Sequence, residues 1–437
     1  MSVAKQSISS SDYRIPKGDV FASLWKAAFA VCLVGALGCF VAYGSNPERF
    51  AFSYLFAFLS VLFLALGSLF FILIQHLTSA SWGVTTRRTA EFFAAGIPIL
   101  ALLFLPVAAS ISTLYPWHAK DTEHHVAQAH SQAADQGEHG HAEVHGSRPH
   151  NEKASHLAHE GIVAKKTPFL NESFFLLRAG LYFLIWIFLA LRVFRLSTQQ
   201  DEDRDLRKTV KLQNMAAPSI ILFGLSLTFA AFDWIMSLEP AWFSTIFGVY
   251  LFATSAVAIF ATVIVVTLSF RSRGFLKNAV NVEHYHDLGK LMFGFVIFWA
   301  YIGFSQLLLI CYAGIPEEAT FYHLRWDGGA WQQFSLFLLV GHFFFPFALI
   351  LSRNVKRTTG VLGFAASWLL IMHVMELYWF VMPNAPTGGF SPHWMDVTCL
   401  LFVGGLYGSV VLWQMTRHPL IPIGDPRLER SLHFENA

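Results

Sequence analysis

Ten long apolar runs are the feature that most constrains the fold of this chain. Each run is close to the roughly 20 residues that a helix needs to cross the hydrocarbon core of a bilayer. Strands of a membrane barrel would be about half as long and would alternate in polarity, which these runs do not do. The sequence therefore predicts an all-α integral membrane protein with ten transmembrane helices. The predicted spans are residues 21–43, 54–76, 91–114, 173–194, 216–236, 243–270, 289–312, 331–351, 361–381 and 394–415.

The overall composition agrees with a membrane protein. Only 13% of the 437 residues are charged and 55% are hydrophobic, whereas soluble domains carry about 25% charged residues. The formal net charge of +2 gives no indication of a nucleic-acid partner. The polar start of the chain lacks the apolar core of a signal peptide, so we expect the first run to remain as a membrane anchor.

Lys and Arg are concentrated on one side of the predicted topology. They cluster near both chain ends and in the connections that follow the second, fourth, sixth and eighth spans. Because such residues favour cytoplasmic loops, we expect both termini in the cytoplasm. The predicted organisation is a cytoplasmic segment 1–20, three spans in 21–114, a periplasmic loop 115–172, seven spans in 173–415 and a cytoplasmic tail 416–437.

The periplasmic loop 115–172 is rich in histidine and holds ten of the chain's 19 histidines. It is polar and rich in Gly, Ala and Ser, so it cannot form a packed core of its own. Imidazoles can bind zinc or copper ions. No ligand spacing repeats, however, which favours a flexible insertion that covers a neighbouring subunit or titrates in solvent. The length of the loop suggests a partner on that face.

Ionisable and amide side chains inside the apolar runs are functional candidates, because a charge at mid-bilayer costs a few kcal/mol or more. Some lie toward the outer surface, some near the middle and some at the cytoplasmic end. They are Arg178, Asp233, Glu239, His373 and Glu376 (outer), Gln306 and His342 (middle), and His286, Asp287 and Lys290 (cytoplasmic).

His373 and Glu376 are three residues apart, so they share one face of a helix. Together with Asp233 they supply, at similar depth, the acceptors that the two hydroxyls of a quinol require. The alternative is a purely structural cluster in which Arg178 is the charge partner of Asp233 or Glu376. The sequence leaves both interpretations open.

Local sequence also marks His342 and the Asp287–Lys290 pair. Pro346 cannot donate to the carbonyl of His342, which predicts an irregular helix at that point. His342 and His373 could alternatively provide the two axial ligands of a haem b. No second histidine pair lies within the spans, which disfavours this alternative. Asp287 and Lys290 are three residues apart and form either a simple ion pair or a proton entry.

Three stretches resemble a known family. They are "TFAAFDWIMSLEPAWFSTIFGVY" (228–250), "HDLGKLMFGFVIFWAYIGFSQLLLI" (286–310) and "HVMELYWFVMP" (373–383). Together they resemble the F subunit of bacterial alternative complex III, a quinol:cytochrome c oxidoreductase. That subunit is the second large membrane subunit of the complex and one of the polysulphide-reductase-type (NrfD-like) membrane proteins. The resemblance covers essentially all of the spans.

The resemblance implies two four-helix bundles with a peripheral helix pair, in the bacterial inner membrane. It implies that the chain itself binds no redox cofactor and that the substrate is menaquinol or ubiquinol. The implied partners are a homologous NrfD-like membrane subunit, an iron–sulfur/molybdopterin-like subunit, multihaem and monohaem cytochrome c subunits, a terminal oxidase and lipids. The four cysteines form no CxxC or CxxCH pair, so the haem c and iron–sulfur clusters are expected in those partners.

The predicted function is that of a membrane subunit of a respiratory quinol-oxidising complex, which interacts with quinol or conducts protons. No catalytic residue and no metal ligand is predicted in the chain. From the cytoplasmic side, the predicted proton path consists of His286, Asp287, Lys290, Gln306, His342, His373, Glu376 and Asp233. Two alternatives are a secondary transporter, which paired broken spans would support, and a purely structural anchor for redox subunits.

Overall fold

The computed structural model describes most of the chain. The described residues are 13–118, 161–163, 165–326, 328–387 and 389–435. The greater part of the histidine-rich loop lies outside these residues, and so do the predictions of metal binding and partner contact made for it.

Within the described residues, ten helices are long and apolar enough to cross a membrane. This confirms the predicted all-α, multi-pass fold. The helices are α1 (Val20–Ser45), α2 (Pro47–Leu77), α3 (Val84–Ala109), α4 (Glu172–Asp203), α5 (Leu206–Leu238), α6 (Phe247–Ser272), α7 (Val282–Ala313), α8 (Gly329–Ile350), α9 (Thr359–Asn384) and α10 (Trp394–Arg417).

Several helices extend beyond the apolar runs that predicted them. The clearest case is the connection 195–215, of which only Arg204 and Asp205 lie outside α4 and α5. Arg204 takes the left-handed conformation that ends α4, with φ of 54°. The Asp205 carboxylate then accepts from the backbone nitrogen of Arg207 at 2.9 Å, which caps α5. An apolar run therefore marks the hydrocarbon portion of each helix but not its polar ends.

The helices form two four-helix bundles and a flanking pair, as the family resemblance implies. Helices α2 to α5 pack together in the first bundle, and α6 to α9 pack together in the second. Helices α2 and α6 contact each other between the bundles and are the most buried of the ten. Helix α10 packs on α2, and α1 packs chiefly on α10. We call the side on which α1 begins and α10 ends the terminal face, and the opposite side the loop face.

Glycines allow α1 and α10 to pack closely. A methyl group placed on Gly35 would lie 2.3 Å from the backbone nitrogen of Phe402, and one on Gly38 would lie 2.5 Å from Cγ2 of Thr398. One placed on Gly405 would meet the backbone of α1 in the same way. Small residues at such positions let membrane helices gain dispersion contacts, since lipid provides no hydrophobic force between them.

The chain's C-terminal segment packs against the terminal face, although the sequence predicted only a cytoplasmic tail there. Ser431 donates to the carbonyl oxygen of Trp82 at 2.7 Å. The Asn281 amide donates to the carbonyl oxygen of Phe434 at 2.8 Å. The described part of the tail thus ties the end of the chain to the α2–α3 connection and to the start of α7.

We expect Gly35→Leu to destabilise the protein, because the new side chain meets the α10 backbone and overpacking costs about 1–3 kcal/mol. Gly44→Leu is the matched control, since nothing lies within 4 Å of a methyl group at that position on the same helix. The fraction of protein that remains monodisperse after heating in detergent measures the effect. Equal melting temperatures of the two variants would contradict the close α1–α10 contact.

Candidate functional site

Asp233 is paired with Arg178 at the loop-face end of the first bundle. The guanidinium of Arg178 donates to both carboxylate oxygens, at 2.8 and 2.7 Å, and the Tyr182 hydroxyl donates at 2.7 Å. The Asp233 side chain is fully buried. A bidentate pair of this kind satisfies and neutralises the carboxylate. Of the two partners predicted for Arg178, the structure therefore places Asp233 against it and not Glu376.

Glu239 is likewise paired, with an arginine that sequence reasoning did not single out. Its Oε1 atom lies 2.9 Å from Nη1 of Arg325, which belongs to the short helix Pro316–Trp326. Arg325 is completely buried, and it also donates to the carbonyl oxygens of Trp379 and Phe380 at 3.1 and 3.0 Å. Burial lowers the pKa of Arg325, and the Glu239 carboxylate opposes that effect. The hydrogen bonds from Arg325 to the carbonyl oxygens of Trp379 and Phe380 fix the short helix on the end of α9.

Glu376 has a different environment, at the centre of the second bundle. Its Oε1 atom accepts from the Thr254 hydroxyl of α6 at 3.1 Å and from the indole nitrogen of Trp299 of α7. Its Oε2 atom lies 3.5 Å from Nδ1 of His342 on α8. In the described part of the chain, no Lys or Arg forms an ion pair with this buried carboxylate. The structure thus brings two predicted candidates, Glu376 and His342, together.

The local shape of α8 positions His342. Residues Leu339–Phe344 form a π-helical turn, directly before the turn that contains Pro346. This is the irregularity that the missing donor of Pro346 predicts, and π-turns are frequent at functional sites. The imidazole of His342 stacks on the Trp299 indole, with ring centroids 4.1 Å apart and planes inclined by 16°.

His373 shares a helix face with Glu376 but contacts a different helix. Its Nε2 atom lies 2.9 Å from the carbonyl oxygen of Ser60, so it joins α9 to α2 of the first bundle. Its Nδ1 atom has no hydrogen-bond partner among the described residues. The described residues contain no group of three His, Cys, Asp or Glu side chains that could hold a metal ion. His373 therefore connects the two bundles through α2, and it also lies close enough to His342 to interact with it electrostatically.

The candidates at the terminal face are separated from Glu376. Asp287 and Lys290 form the ion pair that their spacing allows, at 2.6 Å, and His286 is nearly buried beside them. Lys290 precedes Trp299 by nine residues, which is about 13 Å along a helix. The buried residues of α7 in this interval, Met292 and Val296, are apolar. The structure does not bring this group into contact with the Glu376–His342 pair.

Gln306 lies on the other side of Glu376, toward the loop face. Its amide oxygen accepts from the Ser244 hydroxyl at 3.1 Å, and its amide nitrogen donates to the Tyr322 hydroxyl at 3.2 Å. Tyr322 also forms part of the wall of a cavity of about 610 Å³, mostly apolar and open on one side. The cavity is lined by Leu307, Ile310, Cys311, Gly314, Ile315, Ala319, Tyr322, His323 and Trp326.

A network of buried charges lies at the terminal face, where the sequence predicted a positively charged loop. Arg87 contacts Glu91 at 2.9 Å and Asp425 at 3.0 Å, and Arg88 contacts Glu91 at 3.2 Å. Burial would raise the pKa of Asp425, but Arg87 and Arg427 outweigh that effect and hold it below its ordinary value. The network joins the start of α3 to the C-terminal segment and is structural in character.

No known family model matches the chain, and no curated protein matches it either. The family resemblance of the three sequence stretches stays a prediction, and the function is inferred from the geometry of the site together with that resemblance.

Replacing Arg178 with methionine removes the cation that pairs, in the described structure, with the fully buried carboxylate of Asp233. We expect Arg178→Met to lower the free energy of unfolding by about 3–5 kcal/mol, the typical cost of leaving a buried charge unpaired. The double variant Arg178→Met/Asp233→Asn should recover much of this loss. Thermal unfolding in detergent measures both, and a single variant as stable as the parent would show that the pair is not needed for folding.

Proposed function

We propose that the chain is a membrane subunit of a bacterial respiratory quinol:cytochrome c, or quinol:acceptor, oxidoreductase of the alternative complex III type. In this proposal the Glu376–His342 pair exchanges protons, while haem c and iron–sulfur clusters in partner subunits carry the electrons. The observation that carries the proposal is the buried carboxylate of Glu376, which faces an imidazole and has no arginine or lysine partner among the residues that the structure describes. The resemblance supplies the class of complex, its inner-membrane location and the identity of the partners. The distribution of Lys and Arg supplies the cytoplasmic position of both termini.

The pair is chemically suited to proton exchange. With one proton between them, Glu376 and His342 have zero net charge whether the proton lies on the carboxyl group or on the imidazole. The proton can therefore move without creating an isolated ion, which would be costly in hydrocarbon. Thr254 and Trp299 hold Oε1 in place, which leaves Oε2 as the oxygen that faces Nδ1 of His342.

The other buried carboxylates do not fit this role. Asp233 and Glu239 are each matched by a buried arginine, so their charge is already compensated. A proton added to either would break a charge-assisted hydrogen bond. Asp233 and Glu239 therefore fit a structural role at their own positions. Glu376, with His342, is left as the candidate for proton exchange.

The cavity beside Tyr322 is where the quinol ring binds. Its volume of about 610 Å³ lies within the range of small-molecule sites, roughly 300–1,000 Å³, which combine apolar walls with a few polar groups. Tyr322, His323 and Trp326 are the lining residues whose side chains carry a hydroxyl, an imidazole and an indole nitrogen. Tyr250 interacts electrostatically with both Glu376 and Tyr322, so it is near the proton-exchanging pair and near the cavity wall.

The transporter alternative is less well supported by the helices. Transporters of that kind have broken spans at corresponding positions of two repeats. In the described structure, α3 is interrupted at Gly96 and Phe104, and α8 contains the π-turn Leu339–Phe344. Helix α3 is the second helix of its bundle and α8 is the third of its own, so the interruptions do not correspond.

We expect Glu376→Gln to leave the complex assembled but to slow quinol oxidation and the accompanying proton release at least tenfold, a barrier increase of about 1.4 kcal/mol or more. The amide can accept the same hydrogen bonds at its oxygen but cannot exchange a proton with His342. His373→Ala should have a smaller effect, since His373 contacts the Ser60 carbonyl instead. Both rates are measured on the purified complex in liposomes.

Glu172→Gln is the control for these variants, because Glu172 lies at the start of α4 and its side chain is 55% exposed. Unchanged quinol oxidation and unchanged proton release in a fully assembled Glu376→Gln complex would refute the participation of this pair. With that result, the structural-anchor role would be the better account of the chain.

The cavity is tested separately from the proton-exchanging pair. Leu307→Trp fills the cavity and should raise the KM for quinol severalfold with a smaller change in kcat. Leu308→Trp is the matched control, because the neighbouring Leu308 is 51% exposed and does not line the cavity. Steady-state kinetics with a soluble quinol analogue measure the difference. Identical KM values for the two variants would place the quinol elsewhere.

A further inference from the structure

The first and last membrane helices direct two thiols toward each other. Sγ of Cys39 on α1 lies 3.8 Å from Sγ of Cys399 on α10, although the two residues are 360 positions apart. Both cysteines are buried in the contact between the two helices. The other two cysteines of the chain are Cys32, buried on α1, and Cys311, exposed on α7.

The backbones around the two thiols are already close. Gly38 and Thr398 directly precede the two cysteines, and a methyl group placed on Gly38 would lie 2.5 Å from Cγ2 of Thr398. A disulfide requires the sulfur atoms to approach to about 2.05 Å, with Cα atoms usually 4.4–6.8 Å apart. Because the glycine contact holds the helices together, side-chain rotation can supply most of the remaining approach of the two sulfur atoms.

The position of the pair across the membrane also suits oxidation. Cys39 lies six residues before the end of α1 and Cys399 lies five residues after the start of α10. At 1.5 Å per residue, both are within about 9 Å of the loop-face ends of their helices. The distribution of Lys and Arg predicts this face to be periplasmic, and the bacterial periplasm is a compartment where disulfides form and persist.

We propose that Cys39 and Cys399 form a disulfide that covalently links the first and last membrane helices. The oxidant is a disulfide-bearing thiol oxidant on the loop face. One cysteine thiolate attacks the disulfide of the oxidant and releases its first thiol. The second cysteine then attacks the mixed disulfide and releases the second thiol. The two cysteines lose two protons and two electrons, and the disulfide of the oxidant is reduced to two thiols.

The disulfide joins α1 and α10 by a covalent bond, in addition to the non-covalent contacts of their packing. Helix α1 is the least buried of the ten membrane helices, and it contacts the rest of the protein chiefly through α10. A disulfide at this place holds α1 against α10 whatever the state of the two bundles. The proposal is independent of the proposed respiratory function, since it depends only on the geometry of this helix pair and on the compartment that the loop face meets.

The number of free thiols tests the proposal. Membranes are isolated without reductant, the full-length chain is denatured in the presence of a maleimide–polyethylene glycol reagent, and the added mass is read on a gel. We expect two of the four cysteines to react before reduction and all four afterwards. A cross-linked peptide containing Cys39 and Cys399, identified by mass spectrometry in the unreduced sample, identifies the bond.

Two single variants separate this pair from any other. Cys32→Ser should keep the disulfide, with one reactive thiol before reduction and three after it. Cys39→Ser should abolish the disulfide, with three reactive thiols under both conditions. Four reactive thiols in the unreduced parent protein would overturn the proposal. A Cys39→Ser variant that still gains thiols on reduction would overturn it as well, because a different pair would then be oxidised.

Discussion

The high cost of an uncompensated charge away from water organises the polar interior of this protein. Most buried carboxylates in the described structure are matched by arginine. Asp233 is held by Arg178 at 2.7 Å and Asp396 by Arg49 at 2.7 Å. Each of these pairs joins two helices, so the same contact that neutralises a charge also fixes helix packing. Glu376 departs from this rule, since the ionisable group that faces its carboxylate in the described structure is the imidazole of His342.

That exception coincides with an irregular backbone. The π-turn Leu339–Phe344 sets the position of His342, and the stacked Trp299 ring holds the imidazole 4.1 Å from its own centroid. Trp299 also donates to the Glu376 carboxylate. One indole therefore positions both members of the pair. Oε2 of Glu376 and Nδ1 of His342 have no other hydrogen-bond partner among the described residues, so each faces chiefly the other.

The sequence predicts the fold better than it predicts the site. Ten apolar runs determine ten helices because a bilayer requires each span to satisfy its own backbone hydrogen bonds. Pro346 similarly predicts the irregular turn beside His342, because the effect of a missing donor is local. The partners of Glu376 are different: Thr254 and Trp299 lie 122 and 77 residues from it. Their contact depends on how α6, α7 and α9 pack, and helical periodicity carries no information on that. For the same reason the shared helix face of His373 and Glu376 is predictable from their spacing, whereas their contacts with different helices are not.

The most direct test of the account is whether the Glu376 carboxyl group changes its protonation when quinol is oxidised. Infrared difference spectra of the assembled complex, recorded as quinol is added, report the carbonyl stretch of a protonated carboxyl group in a dry environment. The account predicts a band that changes with quinol oxidation in the parent protein and is absent from the Glu376→Gln variant. A spectrum with no such change, or with the same change in both proteins, would contradict the claim that this carboxylate exchanges a proton with His342.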